Sequence, residues 1–89
     1  AYGVHRDKTT IYNVNGYVTN YEEKVFLENN LNEIRTITNV FDKQNRVVKI
    51  VSKNKFEESI ISSEYKENEV WINSKDGTVK VVLVINKLN

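Results

Sequence analysis

Few residues in this chain carry groups that could coordinate or react. His5 stands two places before Asp7, a spacing at which a carboxylate can orient an imidazole as a general base or begin a metal site. Structural and catalytic metal sites need three or four ligands, and the chain has one histidine and no cysteine. His5 therefore reads as an exposed side chain, and no metal or cofactor is expected. Glu22 with Glu23 and Glu57 with Glu58 are acid doublets. Carboxylate pairs that hydrolyse bonds face each other across a cleft of roughly 5 to 9 Å, whereas neighbours in a strand point to opposite faces. The doublets read as solvated charge. Ser59, Ser62 and Ser63 have no base near them in sequence, and glycine-rich phosphate loops, zinc spacings, calcium loops and nucleophile elbows are all missing. A non-catalytic protein is expected.

Four aromatic residues are better candidates for a binding surface: Tyr12, Tyr17, Tyr21 and Trp71. Asn15-Gly16 is a strong hairpin signal. As a two-residue loop it sets Val14 opposite Tyr17 and Tyr12 opposite Thr19, so Tyr12, Val14, Tyr17, Thr19 and Tyr21 share a face. Such a face can stack on sugar rings or enter a protein interface, or it can be an ordinary cross-strand ladder. Trp71 depends on the register of the hairpin before Val79. A loop of Asp76-Gly77 puts Val70 and Ile72 on one apolar face and Trp71 opposite Val82 on the other. A three-residue loop from Lys75 turns Trp71 onto the apolar face beside Val81, because a one-residue slip exchanges faces. The general tendency of tryptophan to be buried favours Trp71 in the core.

These residues are positioned by strands. In the stretch from Thr78 to Ile85, Val79, Val81, Leu83 and Ile85 alternate onto one face, while Lys80, Val82 and Val84 occupy the other. A strand that becomes apolar on both sides needs cover. Residues 34–41 and 47–51 read as a hairpin, with Asn45 at a left-handed position. The pattern Asp42-Lys-Gln-Asn-Arg-Val47 recurs as Ser74-Lys-Asp-Gly-Thr-Val79, which suggests one turn used twice. Two stretches stay open between strand and short helix: 20–34, with a capping pattern at Asn20 and Glu23 and a turn cluster at 29–32, and 54–65, where Asn54 precedes Glu57. Parity breaks at Ile60-Ile61, as at a bulge. Residues 66–69 form another polar turn. The reading is six or so antiparallel strands in sequential order.

At Phe41-Asp-Lys-Gln-Asn-Arg-Val-Val-Lys-Ile50 the chain resembles the YD repeat of Rhs-type cell-surface proteins, whose pattern is aromatic, Asp, two variable residues, Gly, Arg and an aliphatic. Phe41 stands for the Tyr and Asn45 for the Gly. Residues 65–84, with Tyr65, Asn68-Glu-Val-Trp-Ile and Lys75-Asp-Gly-Thr-Val, are similar to looser hairpin repeats of exported bacterial proteins and lipoproteins. The resemblance implies an antiparallel meander in an extracytoplasmic setting, and it brings no catalytic residues.

Composition bounds the rest. Charged residues make up 28% of the chain with a net charge of only +1, and the two signs are interspersed, so there is no basic stripe for nucleic acid. The longest apolar run, 81–85, falls far short of the ~20 residues of a transmembrane helix. Valine, isoleucine and threonine outnumber alanine and leucine, which favours sheet. A chain that begins at Ala1 and lacks methionine fits a mature exported protein or a trimmed one, so a secreted or cell-surface location is expected. The expected fold is all-β: an antiparallel meander curled into a small barrel or sandwich around one modest core, with room for one short helix at 20–34 or 54–65. Residues 1–9 are expected as an N-terminal arm and residues 10–89 as a single domain. The expected function is an exported binding or interaction module that meets a protein or carbohydrate through aromatic and β-edge contacts. Two alternatives are a small secreted effector, antimicrobial or inhibitory, and a self-associating structural subunit.

Overall fold

A computed structural model describes residues 3–82. They form seven strands: β1 (Val4–Tyr12), β2 (Val18–Leu27), β3 (Asn30–Phe41), β4 (Val47–Lys53), β5 (Glu58–Lys66), β6 (Glu69–Ser74) and β7 (Gly77–Val82). Each pairs antiparallel with the next in one sheet of order β1 to β7. The all-β meander is as expected, and among the described residues there is no helix. Among the described residues the sheet is open, with β1 and β7 as its edges. The expectation for Leu83 to Ile85 lies outside the described residues. β1 begins inside the segment expected as an arm, because His5 to Thr9 pair with Phe26 to Glu22.

Among the described residues the expected core is not formed. The only buried apolar side chain among the described residues is Val25, and Glu23 is the only buried polar one. The accessible surface is 7355 Å², whereas a compact monomer of this mass exposes roughly 5400 Å². The radius of gyration is 17.7 Å, against roughly 12 Å for a compact chain of this length. One layer of strands explains both differences, since each face has water where a sandwich would have a second sheet.

With no core to hold it, register is set at the turns. Residues 13–17 and 42–46 fold identically. Asn13 and Asp42 each donate their N–H to the carbonyl of the fifth loop residue, Tyr17 or Arg46, at 2.8 and 2.9 Å. Each also accepts two backbone N–H bonds on Oδ1, from Asn15 and Tyr17 in one loop and from Gln44 and Arg46 in the other. The fourth residue is left-handed in both, Gly16 at φ 86° and Asn45 at φ 61°, as residues without a Cβ or with a short polar side chain allow. A bulge follows each loop, with Thr19 and Val48 as the extra residues. The loop at Asn15-Gly16 is thus longer than a two-residue turn: Tyr12 faces Val18 instead of Thr19, and Val14 is fully exposed.

The partner of the 42–47 turn is therefore 13–18. Residues 74–77 make a tighter hairpin, with Ser74 opposite Gly77 (φ 131°) and Lys75-Asp76 as the loop. The stretch 20–34 is strand, turn, strand, and its turn is Glu28-Asn29, both at positive φ as a two-residue hairpin requires. Asn54 caps a turn where a helix was an option, accepting from the N–H groups of Phe56 and Glu57. Ile60 and Ile61 pair in an unbroken ladder with Val51 and Ile50, so no bulge occurs there.

The Arg46 N–H, aided by the Arg46 guanidinium and the Gln44 N–H and opposed by desolvation, holds the Asp42 carboxyl below its usual range. A depressed carboxyl stabilises the fold above its unfolded value of about 3.9 and loses that contribution as pH falls through the lower folded value. Asp42→Ala should lower the thermal midpoint at neutral pH. Asp42→Asn, which copies Asn13, should lower it less and remove this residue's share of the acid dependence. Melts followed by circular dichroism from pH 2 to pH 7 check both.

Candidate interaction surface

Alternation along each strand and pairing between strands sort the side chains onto two faces. One carries Thr10 and Tyr12 of β1, Tyr21 of β2, Ile37, Asn39 and Phe41 of β3, and Val47, Ile50 and Ser52 of β4. It continues through Ser59, Ile61, Ser63 and Tyr65 of β5, Val70, Ile72 and Ser74 of β6, and Val79 and Val81 of β7. None of these residues is charged. Lys49, Lys53, Glu58, Glu64, Lys66, Glu69 and Lys80 of the same strands all fall on the other face. A register error of one residue in any hairpin would destroy this separation.

The uncharged face has an aromatic border at the end carrying the two matching loops. The Tyr17 ring lies 5.5 Å from that of Phe41, and the Arg46 guanidinium lies 4.3 Å over the Tyr65 ring. These contacts are equivalent: the fifth residue of each loop reaches the aromatic residue of the next odd-numbered strand. The next strand also ties back to the loop's exit, where Asn39 donates to the Val18 carbonyl at 3.0 Å and the Tyr65 hydroxyl to the Val47 carbonyl at 2.7 Å. Asn15 and Asn45 join the loops by a side-chain hydrogen bond of 3.0 Å. Hairpin docks on hairpin through one contact set used twice.

At the opposite end the same face becomes ionic. Glu23, 7% exposed, accepts a hydrogen bond from Arg6 at 3.2 Å and from the Tyr21 hydroxyl at 3.3 Å, with Arg35 at 3.6 Å and Lys8 at 4.0 Å. Arg35 also pairs with Glu33, and this bond, more than Glu23, raises the guanidinium pKa against the opposing effect of desolvation. The cluster covers Val25 and binds β1 to β3 through side chains. Sequence reading treated Glu23 as solvated charge. The overlooked signal was parity, because Glu23 lies between Tyr21 and Val25 on the face-determining positions of β2.

Of the candidate residues, Tyr12 and Tyr21 share the uncharged face, and Tyr17 projects from its loop beside Phe41. Tyr12 and Tyr17 are exposed, and Tyr21 is half-buried. Trp71 is not in a core. It pairs with Glu64 and Lys80 on the charged face, half-buried, with Lys66 and Lys80 nitrogens 4.8 and 5.7 Å from its ring centroid and its Nε1–H donating to Glu69 at 2.9 Å. The register of the 75–76 loop put Val70 and Ile72 on the apolar face and left Trp71 outside it. His5 lies on the charged face of β1, hydrogen-bonded to Asp7 at 2.6 Å and 5.8 Å from the Phe26 ring. Among the described residues, no three His, Cys, Asp or Glu side chains gather as a metal site. A shallow groove of about 380 Å³ is lined by Thr9, Ile11, Asn20, Glu22, Thr36 and Thr38 of the charged face together with Tyr21 and Ile37, and in it Asn20 bonds Thr38 at 3.3 Å. No helix of the described residues is long and apolar enough to cross a membrane.

No protein-family model matches the chain, and neither a curated protein nor a solved structure shows significant similarity to it. Architecture and surface chemistry therefore carry the functional argument.

Removing a buried carboxylate that serves three cations should cost more than removing an exposed one. Glu23→Ala should lose about 1 to 2 kcal/mol in urea unfolding, and Glu22→Ala less than ~0.5 kcal/mol. Tryptophan emission of the native protein should be that of a partly solvated indole and should be quenched by iodide. A blue emission closed to iodide would contradict the placement of Trp71.

Proposed function

We propose that the chain is a non-catalytic interaction module that binds by laying a partner across its uncharged face. The observation that carries this reading is the sorting of charge. From Ile37 of β3 through β7 one face lacks charge, and nothing in the chain's described part covers it. Monomeric soluble proteins rarely display contiguous apolar patches larger than a few hundred Å² unless the patch is used. Serine and asparagine hydroxyl and amide groups interrupt the aliphatic positions, and Tyr12, Tyr17 and Tyr21 border them, so the surface offers both apolar contact and hydrogen bonds, the mixture that suits a protein partner. An extracytoplasmic setting belongs to the same proposal. It is supported by the YD-like loop at residues 41–50, whose resemblance implies that setting.

The dye 1-anilinonaphthalene-8-sulfonate is the probe for such a face. At submicromolar protein it should bind the native sheet with enhanced, blue-shifted emission. Ile61→Lys should abolish most of the signal, and Ile60→Lys, one residue away on the charged face, should keep it. A monomeric native sheet that leaves the dye dark, or equal loss in both variants, would refute an accessible apolar face as the working surface.

A further inference from the structure

We infer that the partner on the uncharged face is a second copy of this chain, two sheets packing face to face as a symmetric sandwich. The inference rests on the reading of that face as the interaction surface. Three observations select a copy of the chain over an unlike protein.

The first is electrostatic. Recognition of a foreign partner is usually steered by complementary charge, and the region from Ile37 of β3 through β7 has no charge on this face with which to steer. An uncharged face is complementary to itself, which a two-fold interface requires, since the same patch must serve both sides.

The second is area. Five to six strands about 4.8 Å apart, each contributing about six residues at ~3.4 Å, span a plane of roughly 500 to 600 Å². With the relief of side chains added, each copy approaches the roughly 800 Å² that one partner contributes to a stable interface. The third is the deficit of burial. Phe41, Ile50, Ile61, Tyr65, Val70 and Ile72 are only half-buried, yet they occupy the positions that form the interior of a two-sheet fold. Two such sheets, packed about 10 Å apart with strands aligned to within about 30°, would bury all six on both copies. The ionic cluster of Arg6, Lys8, Glu23, Glu33 and Arg35 lies at the margin of that contact, where charge stays hydrated.

Edge pairing is the competing geometry. β1 presents Arg6, Asp7 and Lys8 along its length, and charge of this kind guards an edge against strand addition.

Sedimentation velocity across a concentration series tests the inference. The native chain should dimerise, and because no charge is involved the dimerisation constant should hardly change between low and high salt. Ile61→Lys should raise it at least ~100-fold, by placing like charges in an apolar contact, and Ile60→Lys should leave it unchanged. Ser63→Lys, at a half-buried polar position of the same face, repeats the test if Ile61→Lys fails to fold. Since the chain has no cysteine, Ser63→Cys should give an oxidised dimer and Ser62→Cys, on the opposite face, should not. A dimer that survives both lysine variants of the uncharged face but is lost in Thr9→Pro would show edge pairing and overturn the inference. A strict monomer that binds the dye overturns the dimer and leaves the interaction reading standing. A strict monomer that does not bind the dye removes both.

Discussion

Everything in this molecule depends on register. In a two-layer protein a slipped strand is corrected by the core, because apolar side chains turned to water cost about 1.5 to 3 kcal/mol each. A single sheet lacks most of that penalty, so its pairing has to be specified strand by strand. Here the specification is made by carboxamide and carboxylate side chains at the start of loops. Asn13, Asp42 and Asn54 each hold backbone N–H groups that would otherwise hydrogen-bond only to water, and in the first two the left-handed residue and the following bulge complete a rigid connection. Once the loops are in place, alternation sends every charged residue of β4 to β7 to one side.

The legible part of this fold was its periodicity. Alternation alone puts Val70 with Ile72 and Val79 with Val81, and the hairpin register, which the sequence left open, sets the two sets in opposed pairs. Asn45 was readable as left-handed from its type and neighbours. What failed was arithmetic at the loops. Asn15-Gly16 is a strong hairpin signal, but Asn13 competes for the same backbone N–H groups, and the longer loop wins because its Oδ1 satisfies two of them. Trp71 was assigned to a core on the habits of tryptophan, whereas the loop at Lys75-Asp76 set its face with no regard to its size. Glu28 gave no turn signal at all. It is held at φ 49° by the strands on either side, a case of tertiary pairing overriding residue preference. The expected barrel or sandwich needed a property that no local pattern encodes: whether the sheet meets itself or another sheet.

The ionic cluster shows how the charged end of the sheet compensates for its exposure. β1 has every residue exposed and few apolar contacts with which to hold its place. Arg6 and Lys8 reach across to Glu23 on β2, and Arg35 reaches back from β3, so one carboxylate links three strands. Surface ion pairs taken singly contribute little. Glu23 differs because its own burial makes the loss of its partners expensive, while the cations stay half-solvated and adapt.

The recurrence of one loop with one docking geometry also bears on how such a chain can change over generations. Each two-strand unit touches only its neighbours, so its stability is a property of adjacency, as in other nearly one-dimensional arrays. A duplicated or deleted unit that keeps the Asn or Asp at its head and the aromatic residue that receives the next loop would insert into the ladder with no interior to redesign. Length, in such a design, is a variable that duplication can tune without first solving a packing problem.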